Sequence, residues 1–331
     1  MKPFEYASPE TEAEALDLLN DHDGNTAVLA GGTDLIGLMK RDLVAPKRVV
    51  DLKTVPSLSG VRRTDGGLLI GALTTLEDLV ASADVQKHHS LLHVIDGIRS
   101  IQMQSMGTIG GDLCHLPNCW YFRSGYGLLA MENGESLVAA GDNREHAIFG
   151  NRGPAKFVSA SRLAPSMIAW GAQVRIIGPA PDQEEFLPLD FFYITPKTAS
   201  HGISVLKPGQ LISHIWLPEA EETRSAAYEV IQMNGLDWPL AAAAACVDVE
   251  DGVVRDARIV MGHVAPVPWV ARDAATALVG QRLDEESASR AGDMAVAMAT
   301  PLSNNGYKVQ LAKTSVKRAL LRAVGQMEGI L

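Results

Sequence analysis

The stretch that decides the fold is LAGGTDLIGLMK, residues 29–40. It continues the β-prone run TAVLA (26–30), breaks at Gly31-Gly32, and goes on with apolar residues at helical spacing. The predicted order is strand, glycine turn, helix. Glycine has no Cβ, so the amides of such a turn can approach an anion closely and form a nest for it. Thr33 adds a hydroxyl, and the start of the helix adds the positive end of its dipole.

A second glycine pair, Gly110-Gly111, lies in MGTIGGDL (106–113). It follows SLLHVIDGIRS (90–100), a predicted helix, and a segment predicted to be a polar loop. Neither pair fits GxGxxG or GxxxxGK[ST], which excludes a Rossmann or P-loop nucleotide site. Taken alone, a glycine pair is more often an ordinary turn than an anion site.

The composition limits the number of domains, the kinds of partner and the cellular compartment that can be expected. The 331 residues are 47% hydrophobic, enough to bury a sizeable core in two or three domains. A formal charge of −10 disfavours nucleic acid and anionic membrane surfaces as partners, and favours a small ligand or another protein. No export signal or long apolar segment is evident, and three cysteines suit a reducing compartment. We therefore expect a cytoplasmic protein.

Strands and helices alternate irregularly along the first half of the chain. A helix is predicted from the cap Ser8-Pro9 to Asn20, and Thr74 with Glu77 predicts a capping box for a helix through Val80. Two further strands are predicted at RVVDL (48–52) and GLLIGA (67–72).

The second half begins with residues 124–155, which show no sustained period and predict an extended loop. A helical turn and a strand follow in 161–177, and an alternating strand ends at Pro218. Residues 218–225 form the best linker, with a domain boundary near residue 219. Beyond it, Asp251-Gly252 predicts the turn of a hairpin, followed by helices.

The two glycine segments together resemble the flavin-binding loops of one family, the FAD-binding medium subunits of the molybdenum hydroxylases. This family includes subunits of carbon monoxide dehydrogenase, 4-hydroxybenzoyl-CoA reductase, and bacterial aldehyde and xanthine dehydrogenases. The resemblance covers most of residues 2–240 and includes KPFEYASPETEAEALDLL (2–19), VVDLK (49–53), IGALTTLEDL (70–79), LAPSMIAWGA (163–172) and IWLP (215–218).

The resemblance implies an α+β fold, in which a two-lobed FAD-binding domain (1–219) precedes a smaller C-terminal α/β domain (220–331). It also implies a set of FAD contacts. The first loop would wrap the diphosphate with backbone amides, and the second loop would complete the site. These residues are Leu29, Ala30, Gly31, Gly32, Thr33, Asp34, Leu35 and Ile36, then Thr108, Ile109, Gly110, Gly111 and Asp112, with further contacts from Ile98 and His115.

Several positions depart from the family pattern. Asp112 replaces the commoner asparagine, and its carboxylate would repel a diphosphate unless it faces a ribose hydroxyl or another donor. For His115, a solvated loop histidine is an equal alternative. Arg162 replaces an aspartate before Leu-Ala-Pro; it could contact a phosphate, stack on adenine, or be a surface arginine. A lysine usual in the family is missing from 228–239.

NCWYFR (118–123) and the loop after it resemble the subgroup whose flavin subunit carries an additional [4Fe-4S] cluster in an insertion, here about 119–156. Cys119 matches one ligand, Ala155 stands where another is expected, and Cys114 is the only other local thiol. A cluster that needs four thiolates cannot be built from two. We therefore expect that the metal was lost and that Trp120, Tyr121 and Phe122 pack the insertion against the flavin domain or a partner, rather than stack on the flavin.

The implied function is electron transfer within a heteromeric complex. Substrate would be oxidised at molybdopterin on a large subunit, and electrons would pass through [2Fe-2S] clusters of a small subunit to FAD and on to NAD+ or oxygen. No catalytic or metal-binding residue is predicted in this chain; His89 and His93 lack a third ligand. Two alternatives remain: a stand-alone FAD-dependent oxidoreductase with its own catalytic acid, and an interaction subunit that has lost FAD.

Overall fold

The chain begins with a small lobe built on a parallel sheet. The computed structural model describes residues 1–20, 25–233 and 237–327. The elements of this lobe are β1 (Glu5–Ala7), α1 (Glu12–Asn20), β2 (Thr26–Leu29), α2 (Leu35–Lys40) and β3 (Arg48–Asp51), with 3₁₀ turns at Leu52–Thr54 and Pro56–Leu58. β3 lies between β1 and β2 and is parallel to both. The predicted strand, turn and helix at the first glycine pair are confirmed.

The second lobe starts with β4 (Val61–Thr64), β5 (Gly67–Gly71), α3 (Leu76–Ala81), α4 (His89–Gly97), α5 (Ile101–Met106) and α6 (Ile109–Leu113). The predicted capping box is wrong by one residue: Thr75 caps α3 by accepting the Asp78 amide, while the hydroxyl of buried Thr74 bonds to the backbone of Gly60. The predicted polar loop before the second glycine pair is also wrong, because Ser100 caps the short helix α5 there.

An irregular insertion interrupts the second lobe. It contains α7 (Trp120–Arg123), the two-stranded hairpin of β6 (Met131–Glu132) and β7 (Glu135–Ser136), and α8 (Leu137–Ala140). Of the aromatic run Trp120, Tyr121 and Phe122, only Tyr121 lies in a core: it packs with Ala130 and Val138, whereas Trp120 is 67% exposed. Tyr121 thus packs within the insertion and next to Leu302, and the expected packing of the aromatic run against the flavin domain or a partner stays a prediction.

The second lobe resumes with α9 (Ala164–Trp170), β8 (Gln173–Ile177), β9 (Glu184–Pro188), a 3₁₀ turn at Leu189–Phe191, and β10 (Leu211–Pro218). Its antiparallel sheet has the order β4-β5-β10-β8-β9. The predicted strand that ends at Pro218 is the centre of this sheet. Helix α9 is buried along its whole length, and it ends at Gly171, which takes the left-handed conformation of a helix C-cap.

The C-terminal part is an antiparallel sheet packed against helices. Its elements are β11 (Arg224–Val230), β12 (Ala241–Glu250), β13 (Val253–Gly262), β14 (Trp269–Val270), α10 (Arg272–Leu278), α11 (Glu285–Val296) and α12 (Tyr307–Ala323). The predicted hairpin turn is confirmed, since Asp251 and Gly252 join β12 to β13 with positive φ. The alanines of β12 let α9 approach one face and α12 the other.

The hydrophobic core of the second lobe extends into the C-terminal sheet. It includes Ala227, Ala244 and Val260 from that sheet, together with α4 and α9. The predicted linker is a short, well-anchored connection, in which Ala220 is buried and the Glu219 amide donates to the Gly66 carbonyl oxygen. The division into domains at residue 219 falls in this connection and stays a prediction.

Candidate cofactor site

The two glycine loops meet at the seam between the two lobes. Gly31 lies so close to the end of α5 that a Cβ on it would be 1.6 Å from the Met106 carbonyl oxygen. Only glycine allows this approach, because a Cβ there would overlap backbone atoms. On the other side, a Cβ on Gly110 would lie 2.8 Å from the Cβ of Ala72. Glycine at position 31 therefore lets the first lobe close onto the second, and glycine at position 110 lets α6 pack against the end of β5 within the second lobe.

The backbone amides of the two loops differ in whether they have hydrogen-bond acceptors within the protein. In the second loop, the amides of Ile109, Gly110 and Gly111 are used internally; they donate to Thr74 O, Ala72 O and the Thr108 hydroxyl at 2.8–3.1 Å. In the first loop, the five consecutive amides of residues 31–35 donate to no acceptor within the described ranges. Gly32 has φ +72°, which bends the chain there. A run of free amides at such a bend is an anion nest.

A groove runs along both loops. Its first part, of about 300 Å³, is lined by both glycine pairs and by apolar side chains; its second part, of about 320 Å³, is more polar. The two parts share Thr33, Asp34, Thr108, Gly111 and His115. The groove walls contain most of the predicted FAD contacts, namely Ala30, Gly31, Gly32, Thr33, Asp34, Leu35, Ile98, Thr108, Gly110, Gly111, Asp112, His115 and Arg162.

Three predicted contacts do not line the groove. Ile109 is fully buried in the core of the second lobe. Leu29 and Ile36 lie behind the first loop, where an added Cβ on Gly32 would meet both of their side chains at 3.2 Å. Their side chains support the loop, and a contact of these two residues with FAD stays a prediction.

Asp34 lies between His115 and Arg123, the last residue of α7. Arg123 Nη1 donates to Asp34 Oδ1 at 2.6 Å, and Asp34 Oδ1 is 3.7 Å from His115 Nε2. His115 Nδ1 is 2.7 Å from the Leu116 carbonyl oxygen, and its ring packs edge-on against Trp238. The alternative of a solvated loop histidine is therefore wrong, because only 11% of the His115 side chain is exposed.

Asp112 faces donors of the protein itself. Its carboxylate accepts the amides of Leu163 and Arg162 at 3.0 and 3.2 Å and the hydroxyl of Ser161. Burial of the carboxyl raises the pKa of Asp112, and these hydrogen bonds oppose the rise. The carboxylate thus anchors the start of α9 to the second glycine loop. The Asp112 carboxylate would repel a diphosphate unless it faced a hydrogen-bond donor, and these three donors of the protein meet that requirement.

Arg162 is buried, so the alternative of a surface arginine is wrong. Its Nε donates to Glu229 Oε1 at 3.1 Å, and its Nη2 donates to the other carboxylate oxygen. Both side chains are 7% exposed. Burial raises the pKa of Glu229, and the guanidinium opposes the rise. The pair joins the second lobe to β11, and Arg162 still lines the groove.

Sequence reasoning missed several wall residues. Arg123 ends the aromatic run NCWYFR, and Trp238 lies in the stretch 228–239, where the resemblance indicates only a missing lysine. The apolar floor is made by Leu206 and by Leu211 and Ile212, the first two residues of β10, where alternation of apolar residues indicated a strand but no ligand. A basic residue beside an aromatic run was the one available signal for Arg123.

The insertion holds Cys119 in a hydrophobic setting. Cys119 packs between two small apolar clusters, one around Tyr121 and the other containing Ala155 and Phe157. Its Sγ is 3.1 Å from His146 Nε2. Within residues 1–20, 25–233 and 237–327, no group of three or more His, Cys, Asp or Glu is arranged to hold a metal ion. The same part of the chain contains no helix long and apolar enough to cross a membrane.

A two-lobed fold with an anion nest and an elongated groove at the seam defines a nucleotide-cofactor-binding protein. Family models divide the chain: residues 2–220 match the FAD binding domain in molybdopterin dehydrogenase, and residues 226–323 match the CO dehydrogenase flavoprotein C-terminal domain. The chain belongs to the family of FAD-binding medium subunits of the molybdenum hydroxylases, the family of the carbon monoxide dehydrogenase medium chain. It is thus an FAD-binding electron-transfer subunit of an oxidoreductase.

Individual relatives match over nearly the whole chain. The carbon monoxide dehydrogenase medium chain of Hydrogenophaga pseudoflava is 26% identical over 96% of each sequence. The aldehyde oxidoreductase FAD-binding subunit of Escherichia coli is 29% identical over 98% of this chain and 100% of its own. A solved structure of the H. pseudoflava dehydrogenase superposes with a TM-score of 0.77 over 99% of this chain and 100% of that one. The predicted fold class and family are confirmed.

Proposed function

We propose that FAD lies along the groove with its diphosphate on the amides of residues 31–35. The observation that carries this proposal is the run of five amides without a protein acceptor on the groove wall. A diphosphate can be bound by such amides without a lysine or arginine. The second glycine loop has no free amides to offer at Ile109, Gly110 and Gly111, because they hold α6 against the β5–α3 connection of the second lobe and bond to the cap Thr108.

The charges around the loops support this arrangement. Asp34 is neutralised by Arg123, and the Asp112 carboxylate is occupied by donors at residues 161–163. Neither carboxylate is therefore left to repel a phosphate. Leu211 and Ile212 give the groove an apolar floor, and Ile98, His115 and Arg162 stand on the polar wall as the further contacts.

When bound, FAD supplies the redox chemistry, because its isoalloxazine ring accepts and releases electrons. The residues of this chain hold and orient the cofactor, and they need no catalytic acid or metal of their own. The electrons would arrive from [2Fe-2S] clusters of a small subunit, after substrate oxidation on a large molybdopterin subunit, and would leave to NAD+ or oxygen. The related medium chains of carbon monoxide dehydrogenase and the aldehyde oxidoreductase subunit support this assignment of partners.

The test is a visible absorption spectrum of the purified chain, with iron analysis of the same sample. Flavin bands without iron are expected. A broad iron-sulfur shoulder would contradict the loss of the cluster. A colourless protein that cannot be reconstituted with FAD would overturn the proposal and favour an interaction subunit. Co-purification of the chain with a molybdenum-containing and a [2Fe-2S] subunit tests the partners separately.

A further inference from the structure

The second part of the groove has one large aromatic side chain in its wall, that of Trp238. Among the residues that the structure describes, neither part of the groove is lined by a phenylalanine, a tyrosine or another tryptophan. FAD contains two planar ring systems, the isoalloxazine and the adenine, and planar rings pack favourably against aromatic side chains. With its diphosphate on the amides of residues 31–35, FAD would still need contacts for both rings.

Hydrogen bonds on both sides of Trp238 fix its position in the wall. The tryptophan lies in the connection between β11 and β12. The Leu240 amide closes the base of this connection by donating to the Val230 carbonyl oxygen at 2.8 Å. On the other side, the Asp237 carboxylate accepts the Met233 amide at 3.1 Å. The C-terminal sheet therefore presents Trp238 to the groove from a connection with its own internal bonds.

The indole ring of Trp238 has room for a further planar group. Its ring centroid lies 4.7 Å from that of His115, where the two planes meet at 61°, and 6.3 Å from that of His263, where they meet at 54°. Both contacts are tilted, so neither imidazole lies flat against the indole. The side chain is half-buried and lines the second part of the groove. A planar group of a ligand in the groove can therefore pack on it.

The surroundings of Trp238 suit the isoalloxazine better than the adenine. Ser100, Asn118 and Arg162 place hydrogen-bond donors in the same wall, and the isoalloxazine has carbonyl oxygens along one edge, which adenine lacks. The Arg162 guanidinium also favours the negative charge that this ring can gain on reduction. Asn118, Asp237 and Trp238 line a further cavity of about 410 Å³ next to the groove, which gives a reaction partner space beside the ring. Adenine takes no part in electron transfer and gains nothing from such space.

We propose that Trp238 packs against the isoalloxazine ring of FAD and holds this ring in the second part of the groove. The inference rests on the proposed function, since it requires FAD in the groove. It adds a contact outside both glycine loops. Because Trp238 belongs to the connection between β11 and β12, the C-terminal part of the chain would bind the cofactor directly, in addition to supporting the second lobe.

The experiment titrates FAD into the flavin-free full-length protein and measures two quantities, the affinity and the emission of the bound flavin. An indole in contact with an isoalloxazine quenches flavin emission, because it donates an electron to the excited ring and then takes it back. Trp238→Leu should weaken FAD binding about 3- to 10-fold and make the bound flavin more emissive than in the wild type. Trp238→Phe should restore most of the affinity and leave the emission high, since phenylalanine stacks on the ring but does not donate an electron to it.

Trp120→Leu is the matched control. Trp120 is 67% exposed and lines the neighbouring cavity but not the groove, so its loss should leave affinity and emission unchanged. If Trp238→Leu keeps the affinity and emission of the wild type, the inference is overturned while the proposed function stands. A loss of affinity without a gain in emission would also overturn it, because Trp238 would then contact the adenine or act only on the fold. Failure of the wild type to bind FAD, visible as missing flavin bands, would overturn the proposed function and this inference with it.

Discussion

Arg123 Nη1 lies 2.6 Å from Asp34 Oδ1, and this ion pair ties the insertion to the first glycine loop. The same guanidinium donates to the carbonyl oxygens of Leu116 and Pro117, both at 2.9 Å. One side chain therefore holds the loop, the segment after α6 and the start of the insertion together. The charge of Asp34 next to the anion nest is neutralised by the same contact.

Replacing Arg123 by methionine is expected to weaken FAD binding about 5- to 30-fold, or about 1–2 kcal/mol, because Asp34 would be left unpaired beside the diphosphate. The measurement is a titration followed by quenching of flavin fluorescence. Arg152→Met is the control, since it removes an exposed arginine of the same insertion. Equal FAD affinities of the Arg123 variant and the wild type would show that Asp34 lies too far from the cofactor to matter.

Replacing Gly31 by alanine is expected to abolish FAD binding and to lower the free energy of unfolding by at least about 3 kcal/mol. The new Cβ would lie 1.6 Å from the Met106 carbonyl oxygen, so the loop and α5 must separate. Gly37→Ala, in α2, is the matched control. Its added Cβ would meet no other part of the described chain within 4 Å beyond its own helix, and alanine favours the helix by up to about 1 kcal/mol. Denaturant unfolding and FAD titration of both variants check the contrast.

The sequence predicted the glycine loops well, because strand, turn and helix signals are local. The first loop stands where the pattern placed it, between β2 and α2. The prediction placed the cap of α3 at Thr74, one residue before the observed cap, Thr75. Both threonines can cap a helix, and a contact with a distant part of the chain determines which of them does so. Thr74 is buried against Gly60, which leaves Thr75 to cap the helix.

Contacts between distant segments could not be predicted from sequence. The partner of Arg162 is Glu229, which lies on a strand of the C-terminal sheet, and no local pattern joins the two. The sequence pattern also could not show that the amides of the first glycine pair lack hydrogen-bond acceptors while those of the second have them. That difference depends on which carbonyl oxygens the fold places next to each amide. The amides of Ile109 and Gly110 are satisfied by residues of the β5–α3 connection.

Acid is expected to destabilise the protein through its buried histidines. Burial lowers the pKa of His146 from 6.5 to about 4, so between these values the unfolded chain binds more protons than the folded one. The contribution of this group is fully present above pH 6.5 and is lost as the pH falls towards 4, at up to about 1.4 kcal/mol per pH unit.

His146→Gln should flatten this part of the stability curve, because glutamine does not titrate. Unfolding by urea, measured at intervals from pH 7 to pH 4, gives the slope for each protein. His201→Gln, at an exposed loop position, should keep the slope of the wild type. If the His146 variant keeps the wild-type slope, other groups account for the acid sensitivity.

The pair of Arg162 and Glu229 allows stability and cofactor contact to be separated. Arg162→Met leaves the carboxylate of Glu229 buried without its partner, which should cost about 3–5 kcal/mol of unfolding free energy. The double variant Arg162→Met with Glu229→Leu removes both charges and should recover most of that loss, since apolar residues replace buried ion pairs at little cost.

Because the double variant is stable, its FAD affinity shows whether Arg162 contacts the cofactor. If Arg162 contacts the cofactor, the stable double variant still binds FAD about tenfold more weakly than the wild type. If FAD binds it as tightly as the wild type, Arg162 serves only to join the second lobe to the C-terminal sheet.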